Sequence, residues 1–264
     1  MRVNAVLSIA LILYAGGVLA EEAQWQGWYG GVNLGAVYGS SDASSETYRR
    51  SGTYPASYFD YTERAPINAK GNGKLHSTGG LAGLELGYNQ QLNRWILGGL
   101  LSLDASSLSE SRSYGAHFIG STVSAYEWKN RQTVDSDGFV TLRAKVGYTM
   151  GQALFFVSGG AALTRLKVGS EYTDNYIYDG RATTSESKLK TGWVLGLGAE
   201  YALPDRWSIK AEYLHIDFGK VSTEGGNINL TISGVRTDAY VPDAFRTSAN
   251  LRMDILRIGL NKAF

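Results

Sequence analysis

Three histidines and seventeen tyrosines hold most of the ligand chemistry in this chain. His76, His117 and His215 are far apart in sequence, two in stretches that read as loops and one in a stretch that reads as a strand. A three-ligand metal site would need distant segments to converge, so none is expected. Cysteine is absent, which removes disulfide frameworks and thiolate metal sites. Lys70-Gly71-Asn72-Gly73-Lys74 has a phosphate-friendly composition. It lacks the first glycine and final Ser or Thr of a P-loop, and reads as a flexible loop. Asn229-Leu230-Thr231 has only the pattern of a glycosylation acceptor. No grouped nucleophile, base and acid is visible, so an enzyme is not expected. The tyrosines cluster: Tyr48, Tyr54, Tyr58 and Tyr61, then Tyr114 and Tyr126, then Tyr172, Tyr176 and Tyr178. Tyrosine offers wide amphipathic contact at low entropic cost, and its oxygen can ligate ferric haem.

A second set of charged residues is more telling by its spacing. Glu85, Asp104, Arg143, Lys145, Glu200, Lys210, Glu212 and Arg257 each alternate with apolar neighbours. A period of two puts charge on one face of a strand and grease on the other. Eight stretches show it: Trp28–Tyr38, Leu81–Asn89, Trp95–Ala105, Phe139–Tyr148, Ala153–Leu166, Thr191–Tyr201, Trp207–Phe218 and about 250–264. Phe139–Tyr148 is the cleanest. Ala153–Leu166 begins apolar on both faces and is the least regular. Each supplies about the 9 to 11 residues that a tilted membrane-crossing strand needs.

The connections alternate in length. Gln90–Arg94, Thr149–Gln152 and Ala202–Arg206 are short, whereas Gly39–Gly80, Ser106–Gly138, Lys167–Lys190 and Gly219–Ala249 are long. Short turns on one side and long loops on the other are the plan of a transmembrane β-barrel. Tyr88, Trp95, Tyr148, Tyr201, Trp207 and Phe264 fall beside the short turns or at the terminus, where an aromatic girdle belongs. The tyrosines of the long connections then have a simple reading: they line strands that run on beyond the membrane.

Both ends of the chain agree. Arg2, the apolar run Ala5–Leu19 and the small residue Ala20 before Glu21 form a secretory signal peptide over residues 1–20. The run is too short for a spanning helix. Residues 21–264 then form the barrel. At the other end, Phe264, Leu260 and Gly259 on the final strand resemble the C-terminal assembly signal of bacterial outer-membrane barrels. Lys262 interrupts that pattern and can snorkel to the interface. Removing the signal peptide takes Arg2 away, so Lys+Arg falls from 25 to 24 against 24 Asp+Glu. Zero net charge argues against a nucleic-acid binder.

Seven segments stand out together: Gly27-Trp28-Tyr29-Gly30-Gly31-Val32-Asn33, Thr141-Leu142-Arg143-Ala144-Lys145-Val146-Gly147-Tyr148, Val157-Ser158-Gly159-Gly160-Ala161-Ala162, Thr191-Gly192-Trp193, Gly196-Leu197-Gly198-Ala199-Glu200-Tyr201, Lys210-Ala211-Glu212-Tyr213-Leu214 and Arg257-Ile258-Gly259-Leu260-Asn261. Together they resemble the alphaproteobacterial outer-membrane β-barrel family of porin-like, immunogenic and opacity-like surface antigens. The resemblance covers strands and not loops. It departs at Lys262, where the family usually has an aromatic, and at His215, where tyrosine is common. It implies a structural protein and surface antigen of the outer membrane that contributes to envelope integrity. Its partners would be outer-membrane lipid and the barrel-assembly machinery. Some members bind hemin, so hemin or a host surface molecule is a candidate ligand for the loops. Tyr58, Tyr61 and His76 are then the first candidates for the iron, followed by His117.

An all-β, eight-stranded antiparallel transmembrane barrel with short periplasmic turns and four long extracellular loops is therefore expected. Such a barrel is just wide enough for its own side chains to fill it. Its four acids and four bases, balanced in sign, predict a lumen bridged by ion pairs rather than a path for ions. A narrow, low-conductance pore is the alternative.

Overall fold

The computed structural model describes residues 24–49, 68–117, 127–175, 181–227, 230–232, 235–237 and 243–264. The signal-peptide residues lie outside these. Alternation becomes strand throughout: β1 (Gly27–Arg49), β2 (Gly73–Leu92), β3 (Trp95–His117), β4 (Glu127–Met150), β5 (Ala153–Asp174), β6 (Arg181–Ala202), β7 (Trp207–Asn227), the small pair β8 (Leu230–Ile232) and β9 (Val235–Thr237), and β10 (Asp243–Ala263). Eight of them close a barrel in the order β1-β10-β7-β6-β5-β4-β3-β2. The last strand seals it: β10 pairs with β1 from Tyr29↔Ala263 to Arg49↔Asp243. The Phe264 N–H then donates to the Trp28 carbonyl at 3.0 Å.

The short turns have local causes. Asn93 (φ 56°) and Gly151 (φ 62°) take left-handed conformations in the first two. The third contains the 3-10 turn Pro204–Arg206, with Pro near its start and Asp205 left-handed at φ 57°. Outside, Val32, Leu34, Leu84, Leu101, Leu142, Val157, Leu195, Ile258 and Leu260 form an exposed apolar band. Below it lie the aromatics of the girdle, with Trp28 edge-on to Tyr88 at 5.4 Å and Trp95 edge-on to Tyr148 at 5.2 Å. No described helix is long and apolar enough to cross a membrane; crossing is by strands.

The strands overrun their sequence-based limits. They hold 20 to 24 residues, against about 10 for a crossing strand. Much of the four long connections is therefore hairpin, and His76 lies on β2 rather than in a loop. The reason is that inward burial continues: Trp128, Asn130, Gln132, Val134 and Ser136 all face inward along the first half of β4. At the outer rim the ladder is interrupted by bulges. Two residues oppose one at Ser106 and Ser107 of β3, at Asp137 and Gly138 of β4, and at Phe218 and Gly219 of β7. Gly219 has φ 64°, a conformation that favours glycine. Bulges at a barrel rim bend strands and break pairing.

Beyond that rim the ring divides. The β2–β3 ladder stops at Leu81↔Ser106 and the β6–β7 ladder stops at Trp193↔Asp217. The other six ladders continue well outward. The extracellular part thus consists of two four-stranded sheets, β2-β1-β10-β7 and β3-β4-β5-β6, with two seams between them.

Candidate functional site: the filled interior

All eight charged residues with inward phase are buried inside the barrel. Arg257 is at the centre. It donates to Asp104 at 2.9 Å and to Glu212 at 2.7 and 2.9 Å, and lies 3.5 Å from Glu85. Lys210 pairs with Glu85 and lies 3.4 Å from Glu212. Arg143 pairs with Glu212 and donates to the Ser158 hydroxyl at 3.0 Å. Asn33 donates to Glu85 at 3.1 Å, and Ser102 donates to Asp104 at 2.7 Å. Three acids and three bases are linked into one neutral group. Nearer the short turns, Lys145 pairs with Glu200 at 3.2 Å and donates to the Tyr29 hydroxyl at 3.3 Å. Residues from every barrel strand join these contacts. Buried charge is tolerated only when paired and hydrogen-bonded in this way.

Glycines make room for the network. A Cβ at Gly259 would run into Asn33 and the Lys210 stem. One at Gly196 would meet Ser158, Leu214 and Arg143.

Above the charges the lumen changes character. Val37, Leu81, Leu108, Phe139, Leu166, Val194, Leu214, Ile216, Phe218, Met253 and Ile255 form a continuous buried apolar cluster. The transition runs along single strands. On β7 the inward side chains read Lys210, Glu212, Leu214, Ile216, Phe218; on β10 they read Arg257, Ile255, Met253, Leu251. At the opposite mouth Trp25 is buried against Ile96, Leu154 and Ala202 as a stopper. Among the described residues the lumen is thus filled by charge pairs toward the short turns and by hydrocarbon toward the outer rim.

The apolar layer and the Trp25 stopper were missed by sequence reasoning. The stopper end did leave a signal. Ala153–Leu166 begins apolar on both faces because Leu154 packs inward in the Trp25 cluster and Phe156 faces inward beneath Lys145.

The remaining predicted residues are dispersed. Tyr58 and Tyr61 lie outside the described residues. His76 is exposed on the outer surface, stacked on Tyr38, with its Nδ1 2.9 Å from the Tyr38 hydroxyl. His215 faces outward, with Nδ1 2.8 Å from Asp254. His117 ends β3. Tyr114 and Tyr172 are strand residues flanking Trp128 on the inner face of the extension, at 5.9 and 6.4 Å between ring centroids. Phe264 and Leu260 face outward, and Lys262 reaches over the Trp207 ring to the Asp205 carbonyl. Among the described residues no three His, Asp or Glu gather as metal ligands.

Comparison with known proteins agrees with this architecture. The model of the outer membrane protein beta-barrel domain matches residues 6–238. The 31 kDa outer-membrane immunogenic proteins of Brucella melitensis and Brucella suis are each 34% identical over 202 residues, covering 74% of this chain and 72% of theirs. The 25 kDa outer-membrane immunogenic protein of Brucella ovis is 28% identical over 91 residues, covering 34% of this chain and 40% of its own. Among solved structures, the outer membrane protease OmpT of Escherichia coli aligns over 91% of this chain and 97% of its own, with TM-score 0.43 and 9% identity. The match over most of the chain, on a closed eight-stranded barrel with an apolar outer band, makes this protein a member of the outer-membrane β-barrel family.

Proposed function

We propose that the protein is a structural element and surface antigen of the outer membrane that contributes to envelope integrity and moves no solute. The apolar layer from Val37 to Ile255 across the lumen carries this reading. Beneath it, every inward charge has a partner of opposite sign. A barrel so filled serves as a rigid anchor, and its mass beyond the membrane faces outward. Its relatives bear the name immunogenic, which suits a protein whose strands stand so far out from the bilayer. No described contact favours the hemin reading, since His76 already engages Tyr38.

Loss of the protein should sensitise cells to detergent and to large antibiotics that an intact outer membrane excludes. Complementation with the full chain should restore resistance, and so should a charge-neutral lumen variant that still folds. Unchanged resistance in the deletion strain would defeat the envelope role.

A further inference from the structure

The seam between β6 and β7 is one of the two places where the ring of ladders opens, and no described segment pairs there. Both strands continue past Trp193↔Asp217 without meeting. On its other side β6 stays paired to β5 as far as Thr173↔Arg181, and β7 stays paired to β10 as far as Ala244↔Asn227. Gly219, at φ 64° and with open space where a Cβ would be, marks where β7 turns away. Two lysines reach across. The Lys190 ammonium donates to the Lys220 carbonyl at 2.8 Å, and the Lys188 ammonium to the Ser222 carbonyl at 3.3 Å. Side chains have taken acceptors that a neighbouring strand would otherwise use. Leu189 is exposed on the outer lip.

A strand edge presents N–H and C=O groups in a row, a pattern that another extended polypeptide matches. A strand inserted between two others needs them roughly 9.6 Å apart, twice the ladder spacing of about 4.8 Å. The lysine side chains and their hydrogen bonds now occupy the space that such a strand would enter. The local charge selects the partner. Arg181, Lys188, Lys190 and Lys220 lie on the two unpaired stretches, against Glu186, which pairs with Lys188 at 2.7 Å, and Glu224, so bases outnumber acids there. We propose that this seam is a strand-addition site for an extended, acidic polypeptide segment. Its backbone pairs with the edges of β6 and β7, and its carboxylates take the lysine ammoniums from the carbonyls they now hold. The lysines also guard the empty edge, as inward-pointing charges do elsewhere on sheets.

The test uses the full-length protein folded in nanodiscs and a fluorescent nine-residue peptide of alternating threonine and glutamate. Fluorescence anisotropy should show saturable binding. An N-methylated peptide of identical side chains has lost its backbone donors, and should bind at least tenfold more weakly. K188E with K190E should weaken binding of the glutamate peptide by a similar factor and favour its lysine counterpart. Equal binding of the parent and N-methylated peptides would mean simple charge attraction and would overturn the proposal. So would absence of saturable binding by the unaltered protein. Oligomers of the protein alone that vanish in the charge-reversed variant would assign the seam to a second copy, and would equally overturn it. Should that variant fail to fold, the N-methyl comparison on the unaltered protein still decides.

Discussion

Arg257 shows how much one residue can hold in this lumen. It contacts Asp104, Glu212 and Glu85, on three different strands. Removing it leaves three buried carboxylates with only Lys210 and Arg143 among the linked cations. Breaking a buried ion pair from one side costs about 3–5 kcal/mol. Arg257→Ala should therefore lower the urea midpoint of the folded barrel markedly. Lys145→Met combined with Glu200→Leu removes both members of a pair and should cost far less, because replacing a buried pair with hydrocarbon is often neutral. Equal losses in the two variants would show that the ion pairs do not hold the lumen as described. The charged residues themselves were legible from phase alone, since a period of two assigns each to a face. Their pairing was not legible, because it depends on how eight strands stagger around the barrel. Tyr58 and Tyr61 stand at the other extreme, as residue type and clustering say nothing about where a side chain points.

At the level of the element, β10 carries most of the information. Its outward face joins the lipid band and its inward face supplies Arg257. Closure against β1 completes the ring. Gly259 sits where any Cβ would run into Asn33 and the Lys210 stem. Gly259→Val should therefore displace the Asn33 amide and the Lys210 stem from Glu85 and lower surface levels. Deletion of Phe264 should impair assembly more than Lys262→Ala, because it removes the terminal aromatic and the Phe264–Trp28 backbone bond. Quantitative surface labelling checks both, and normal levels without Phe264 would refute the second. The membrane halves of the strands were readable because lipid on one face enforces strict alternation. Their outer halves were not. There both faces are largely hydroxyl-rich, as in Ser106–Ser113 and Thr183–Ser187, and no lipid sharpens the pattern. The bulges were hidden too, since an inserted residue shifts phase without changing composition.

For the whole molecule, closure and filling are separate properties. Closure removes free edges within the bilayer, which hydrocarbon would not tolerate. Filling, on the function proposed above, makes the barrel a solid post rather than a tube. Strand number, termini and turn lengths announced the closed barrel from sequence. The apolar layer is a property of the assembled ring, built from Val37, Phe139, Leu214, Phe218, Met253 and Ile255 on four strands. It does not show in any one of them. Electrical recording of the purified protein in planar bilayers tests it most directly. The intact protein should give no steady conductance, whereas Phe218→Ser with Met253→Ser and Ile255→Ser should introduce brief, small openings through the wetted layer. Stable openings of porin size from the unaltered protein would contradict a filled lumen.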